Sequence, residues 1–287
     1  MGKMLSLFRL MRPKQWSKNL LILGAPFAAG ELFHTQHIRE VIYAVVTFSM
    51  ISSACYIIND IQDMQMDQLN DKKRNRPIAS GNVLCFEALL LFAVLVILGS
   101  IVASYLPRNF QLILAFYFIL TNLYSFGLKN EPVVEFFIVA FGFTLRAVAG
   151  GVATQLHITK WFLLVTGFGS LVIVVSKRIA ESRNTAHVSK RTVIAAYSPE
   201  FLNLVLAIAV SSSLIAYCLW SFSLIEEHPY AQFSLIPISV GLFRYLWLVS
   251  KGEGEAPEEL LFRDIVLVLC GIFTGILLYL SVYGSGG

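Results

Sequence analysis

Apolar residues in this chain gather in blocks of roughly 17–23 positions separated by polar stretches, and blocks of that length cross a hydrocarbon layer about 30 Å thick as helices. Nine such spans stand near 19–34, 38–58, 84–106, 110–127, 133–153, 160–177, 201–223, 233–250 and 263–283. Pro26 and Pro237 fall inside two of them, which bundled membrane helices tolerate because neighbours re-satisfy the freed backbone groups. The pattern predicts an all-α polytopic membrane protein, a bundle of nine transmembrane helices forming one domain over residues 1–287. Residues 1–18 set Leu5, Leu7, Phe8, Leu10, Met11 and Trp16 against Lys3, Arg9, Arg12 and Lys14, the mark of an interfacial amphipathic segment. Spans 1–4 and 5–8 form two similar sets, each with a long polar loop after its second member.

Composition narrows the class. Of 287 residues 56% are hydrophobic and 14% charged, against about 25% charged in soluble domains, which excludes an ordinary cytosolic enzyme and a disordered chain. Cys55, Cys85, Cys218 and Cys270 form no clustered pair, so buried inert thiols are expected rather than a metal or redox site. The net charge of +4 bears on topology, and no nucleic-acid partner is expected. Cations concentrate in alternate connections: Lys3 to Lys18, Lys72 to Arg76, Lys129, Lys177 to Arg191, and Lys251 with Arg263. By the positive-inside rule those connections are cytoplasmic. The N-terminus is then inside and, with an odd number of spans, the C-terminus outside, in the cell's inner or plasma membrane. The long loops 59–83 and 178–200 fall on the same cytoplasmic side, where chemistry is expected.

The second span ends in Asn59-Asp60-Ile61-Gln62-Asp63-Met64-Gln65-Met66-Asp67, followed by Asp71. On a continuous helix at about 100° per residue, Asp60, Asp67 and Asp71 share a face within about 40°, with Asp63 about 60° to one side. Carboxylates crowded at a membrane boundary need a counter-charge. A hard divalent cation such as Mg²⁺ supplies it, using one or two carboxylates together with substrate phosphates. Lys72, Lys73, Arg74 and Arg76 follow directly, and acids that hold a metal beside cations that hold phosphate make a diphosphate site.

These residues carry a family resemblance. Asn59-Asp60-x-x-Asp63-x-x-x-Asp67 with Arg76-Pro77-Ile78 resembles the first aspartate-rich motif of the UbiA superfamily of intramembrane prenyltransferases. Arg12-Pro13-Lys14-Gln15-Trp16-Ser17-Lys18-Asn19, Tyr124-Ser125-Phe126-Gly127-Leu128-Lys129 and Gly142-Phe143-Thr144-Leu145-Arg146 resemble its decaprenyl-phosphate phosphoribosyltransferase branch. The resemblance implies nine spans opening to the cytoplasm. It also implies transfer of phosphoribose from 5-phosphoribosyl diphosphate (PRPP) to a polyprenyl phosphate, with release of diphosphate. Asp60, Asp63 and Asp67, supported by Asn59, would hold Mg²⁺. Lys72, Lys73 and Arg76 would grip the donor phosphates. Tyr124, Lys129, Arg146, Lys177, Arg178 and Glu181 would line the opposite wall, with Glu135 where the family pattern carries an aspartate. Lys14 and Lys18 are also assigned to substrate, Lys14 together with Arg12 drawing in the lipid phosphate.

Where UbiA prenyltransferases typically carry a second aspartate-rich motif, this chain has Lys177-Arg178-Ile179-Ala180-Glu181. Fewer acids and more cations suit a phosphorylated sugar donor and a lipid monophosphate acceptor. They suit a prenyl diphosphate with an aromatic or tetrapyrrole acceptor less well. A lipid phosphate is ionised near neutral pH and needs no general base. His34, His37, His157 and His228 fall on or near the outer side and His187 on the cytoplasmic side, and none is expected to serve as one. Transport of a cation fits poorly, because the acids stand at a span end rather than at the bilayer midplane. A homo-oligomer is left open.

Overall fold

The computed structural model describes residues 2–71, 73–183, 192–223, 230–254 and 257–284. Lys72, His187, Lys190, Arg191 and His228 lie outside the described residues. In chain order the helices are α1 (Lys3–Leu10), α2 (Gly24–Ala28), α3 (Thr35–Gln62), α4 (Met64–Gln68), α5 (Cys85–Ala103), α6 (Arg108–Phe126) and α7 (Val134–Ala153). They continue as α8 (Lys160–Arg183), α9 (Thr192–Ala195), α10 (Pro199–Ser223), α11 (Leu235–Ser250), α12 (Pro257–Arg263) and α13 (Ile265–Tyr283). Among the described residues the ordered structure is helical, and eight helices have the length and apolarity to cross a membrane: α3, α5, α6, α7, α8, α10, α11 with the turn before it, and α13.

The stretch expected as the first span, 19–34, differs. It is no long α-helix but a 3₁₀ run, Pro13–Leu23, followed by the short α2. At ~2.0 Å and ~1.5 Å rise per residue the two pieces extend ~30 Å, a broken element with the reach of a crossing. Its neighbours explain the break. Gly150 of α7 lies so close to this segment that a Cβ there would overlap the Ile22 carbonyl oxygen, and Gly151 faces Ala25. The buried Asn19 side chain donates to Ser49 Oγ of α3 at 2.9 Å and accepts from Arg146 Nε of α7 at 2.9 Å. Backbone-to-backbone contact and side-chain hydrogen bonds replace the ridge-and-groove packing of a regular helix.

Burial ranks the helices. In α3 and α7, 61% and 56% of the apolar window is covered by protein, against 17% in α5 and 11% in α13. Two apolar cores meet on α7. One joins Ile22, Phe48, Ile51, Phe110, Tyr117 and Leu145, and the other joins Phe136, Val175, Ile194, Leu202, Tyr245 and Val249. A third set, built on Leu10, Ile57, Ile78, Val83 and Leu95, fastens α1 and the loop after α4 to α3 and α5. Caps mark two helix starts: Glu87 Oε2 accepts the Leu84 N–H at 3.1 Å, and Asp264 Oδ1 accepts those of Val266 and Leu267 at 3.1 Å. Arg244 binds the same Asp264 carboxylate and holds its pKa below the ordinary range.

Candidate active site

The aspartate motif does not lie on one unbroken helix. α3 ends at Gln62, Asp63 turns the chain with ψ near 0°, and α4 starts again at Met64. The break turns Asp60 and Asp67 inward and carries Asp71 away: Asp71 is 91% exposed and pairs with Arg74 at 3.4 Å. Asp60 and Asp67 converge on a single guanidinium nitrogen, Arg76 Nη1, at 3.0 Å and 2.6 Å. Arg12 pairs with the same oxygen of Asp60, Oδ1, that Arg76 contacts. Asp63 takes Lys129 as an ion-pair partner and accepts from Asn59 Nδ2 at 3.0 Å. Ser125 donates to Asn59 Oδ1 at 3.3 Å, which ties the end of α6 to the cluster. Three carboxylates thus meet three cations.

The loop that carries Arg76 is a compact turn. Ser80 N–H bonds the Arg76 carbonyl at 2.9 Å, and Val83 N–H bonds the Pro77 carbonyl at 3.0 Å. Buried Ile78 and Val83 anchor the turn in the third core, and Gly81 supplies the positive φ of +74° that it requires. Arg12 is held differently. Its backbone is left-handed (φ 54°, ψ 59°) immediately before Pro13, although the residue before a proline normally stays extended. Ser53 of α3 pins both flanks, its hydroxyl 2.8 Å from the Met11 carbonyl and accepting Trp16 Nε1–H at 3.0 Å. The Arg12 guanidinium lies 5.0 Å over the Tyr56 ring.

The opposite wall is one buried ion network. Arg178 grips Glu135 through Nε (2.8 Å) and Nη2 (2.6 Å), and its Nη1 donates to Glu181 at 2.5 Å. Glu135 is fully buried and the Arg178 side chain 6% exposed. Tyr197, between α9 and α10, accepts the Val133 N–H at 2.7 Å and lies 3.5 Å from Glu135 Oε1. Burial holds its hydroxyl above the ordinary pKa range, so it remains protonated at neutral pH. Val133 has φ 69° and ψ −51°, and the Val134 N–H reaches the Pro132 carbonyl at 2.8 Å. That is the uncommon γ-turn, fastened by Tyr197. Tyr124 is half-buried and within electrostatic range of Arg178.

The structure therefore gathers Asn59, Asp60, Asp63, Asp67, Arg76 and Lys129 in one cluster, and Glu135, Arg178 and Glu181 in another. Lys14 is exposed on the 3₁₀ run, Lys73 and Lys177 are half-buried, and Lys18 Nζ lies 5.6 Å from the Phe143 ring centre. Lys72 lies outside the described residues. Arg146 does not join either wall. It sits ~16 Å along the α7 axis from Glu135, buried, with neutral partners: Asn19, the Gly142 carbonyl (2.8 Å) and Tyr117 Oη (2.6 Å). His34 and His37 contact Glu31 and Glu40 at the start of α3, at the opposite end of that helix from the acids. Arg12 as the partner of Asp60, and Tyr197 as the partner of Glu135, were not legible beforehand. Both contacts join residues distant in sequence and carry no local motif.

Among the described residues no three His, Cys, Asp or Glu side chains form a ready-made metal cage. The donor set still fits Mg²⁺, which usually takes one or two carboxylates and completes its shell with water and substrate phosphates. Asp60 and Asp67 already point two hard oxygens at one cationic nitrogen.

Residues 20–282 match the profile of the UbiA prenyltransferase family. The chain belongs to the UbiA prenyltransferase family. This UbiA chain is 36% identical to decaprenyl-phosphate phosphoribosyltransferase of Corynebacterium glutamicum over 290 residues, covering 96% of the chain and 86% of that protein. It is likewise 36% identical to the protein of that name in Mycobacterium tuberculosis over 281 residues, covering 92% of the chain and 90% of that protein. Its fold matches a UbiA homolog from Archaeoglobus fulgidus, solved bound to DMAPP and Mg²⁺, with TM-score 0.72 at 17% identity over 98% of both chains. The family and the apolar helices together make this a multi-pass membrane protein.

Proposed function

We propose that this UbiA-family protein is a Mg²⁺-dependent phosphoribosyltransferase that moves 5-phosphoribose from PRPP to a polyprenyl phosphate. The observation that carries the reading is the cluster of Arg12, Arg76 and Lys129 around Asp60, Asp63 and Asp67. It stands in a chain more than a third identical to named phosphoribosyltransferases over most of its length. An oxygen of the lipid phosphate bonds to the anomeric carbon of ribose as the bond from that carbon to diphosphate breaks. Diphosphate departs with the electron pair. The products are polyprenyl-phosphoryl-5-phosphoribose and diphosphate.

Arg76, Lys72 and Lys73 bind the donor phosphates, and Lys129 adds positive charge beside Asp63. These groups stabilise the charge that grows on the leaving oxygen, the kind of preorganised electrostatics that usually dominates such catalysis. Asp60, Asp63 and Asp67 would hold Mg²⁺, which would supply further charge neutralisation to the diphosphate. Across the site, Glu135 and Glu181 fix Arg178, which with Tyr124 and Lys177 shapes the wall that meets the sugar. Lys14 and Lys18 attract the acceptor phosphate, and Arg146 contributes buried positive charge deeper in the bundle. The site opens to the cytoplasm, where both the cation-rich loops and a soluble sugar diphosphate are placed. The broken segment counts as the first of nine crossings, which leaves the C-terminus outside.

Purified protein with Mg²⁺, polyprenyl phosphate and labelled PRPP is expected to form a labelled lipid, with EDTA stopping the reaction. Asp60→Asn and Asp63→Asn should each lower turnover at least about a hundredfold in folded protein, the scale of losing groups that stabilise transition-state charge. Product from a prenyl diphosphate and an aromatic acid, with none from PRPP, would replace this reading by prenyl transfer.

A further inference from the structure

Over Asp60 and Asp67 the arginines of the cluster lie outermost, whereas Asp63 is as open as its partner Lys129. Side-chain exposure is 23% for Arg12 and 26% for Arg76, against 3% for Asp60 and 4% for Asp67. An ion arriving from solvent meets guanidinium groups before it meets Asp60 or Asp67. A lone divalent cation is repelled by that layer and must displace an arginine to reach Asp60 or Asp67. A diphosphate is attracted by the same layer and offers its oxygens as new partners. Once it does, Asp60 and Asp67 are released as the metal arrives, and the phosphates would complete the shell that the protein carboxylates leave open.

We propose that Arg12 is a substrate-binding residue, and that Arg12 and Arg76 exchange partners from carboxylate to phosphate so that the metal and the diphosphate bind as a linked pair. The inference rests on the reading of the cluster as a diphosphate site and adds the order in which it fills. The backbone at Arg12 supports a dedicated role. A left-handed residue before a proline is strained, and Ser53 holds the chain on both sides of it so that the guanidinium reaches Asp60. A simple positive anchor at the membrane surface needs no such arrangement. Arg76 is preset in the same way by its turn. The linkage is reciprocal: whatever factor diphosphate adds to metal affinity, metal adds to diphosphate affinity.

The test is Mn²⁺ binding by the purified full chain in detergent, read from the electron paramagnetic resonance of protein-bound ion, with and without inorganic diphosphate. Diphosphate is expected to raise Mn²⁺ affinity by about tenfold or more, within the usual range of site coupling. Arg12→Gln and Arg76→Gln should each tighten Mn²⁺ binding in buffer alone and shrink the diphosphate effect. Adding Asp60→Asn to Arg76→Gln should remove the gain. A gain of affinity is not an outcome that misfolding mimics. Equal Mn²⁺ affinity with and without diphosphate, arginine variants that bind Mn²⁺ no better, or a gain that survives Asp60→Asn would each overturn the proposal. Neither PRPP nor lipid enters the measurement. A prenyl diphosphate donor would therefore overturn the proposed reaction and leave this result standing. A protein that makes the ribosyl lipid yet shows no diphosphate coupling would overturn the exchange alone.

Discussion

Arg178 shows how one side chain divides its work. Its two contacts to Glu135 are buried and bidentate, whereas Glu181 is 27% exposed. Removing one partner of a buried pair leaves a charge uncompensated and costs about 3–5 kcal/mol, while partly exposed pairs contribute ~0–1 kcal/mol. Glu135→Gln is therefore expected to lower the thermal unfolding midpoint in detergent by many degrees, and Glu181→Gln by little. Equal small shifts would mean that Glu135 and Arg178 are not paired in the protein. The residue types of both walls were legible, because clustered acids next to a basic run, and an arginine and a glutamate three apart, have few uses at a membrane boundary. Their pairings were not. That Asp60 meets Arg12 and Arg76, and Asp63 meets Lys129, depends on the helix break at Asp63, and reading the motif as one continuous helix misplaced Asp71.

At the scale of elements, the long apolar blocks were readable because length and hydropathy alone select helices that cross a bilayer, and eight of the expected spans are such helices. The first block was misread as a ninth regular helix. It is apolar enough to read as a span, but it carries Gly24, Pro26 and Gly30, and the Gly150–Gly151 surface of α7, elsewhere in the chain, packs against it where it breaks. Gly150→Ala would drive a methyl group into the Ile22 carbonyl, an overpacking of about 1–3 kcal/mol. Gly167 in α8 is the control, since nothing lies within 4 Å of a Cβ there, and alanine's better helix propensity would add up to ~1 kcal/mol. Thermal denaturation should show Gly150→Ala less stable than the parent and Gly167→Ala equal or better. If Gly150→Ala is also neutral, the close approach of the broken segment is wrong.

For the whole molecule, the distribution of cations and the position of the site make one joint claim about sidedness. The ends of α3 and α6 and the start of α7 bring both walls to one end of the bundle, the end that carries the basic loops. A site for a water-soluble sugar diphosphate and a lipid phosphate has to be open to the compartment that holds the first and to the leaflet that holds the second. Cys85 begins α5 at that same end and is exposed, while Cys55 is buried two turns inside α3. In a variant that keeps Cys85 and Cys55 alone, a membrane-impermeant maleimide should label Cys85 in inside-out vesicles and spare it in right-side-out vesicles, with Cys55 protected in both. Labelling of Cys85 from the outside would invert the bundle. It would place the arginine-covered carboxylates on the face where the positive-inside rule puts few cations, and the donor would have to be met there.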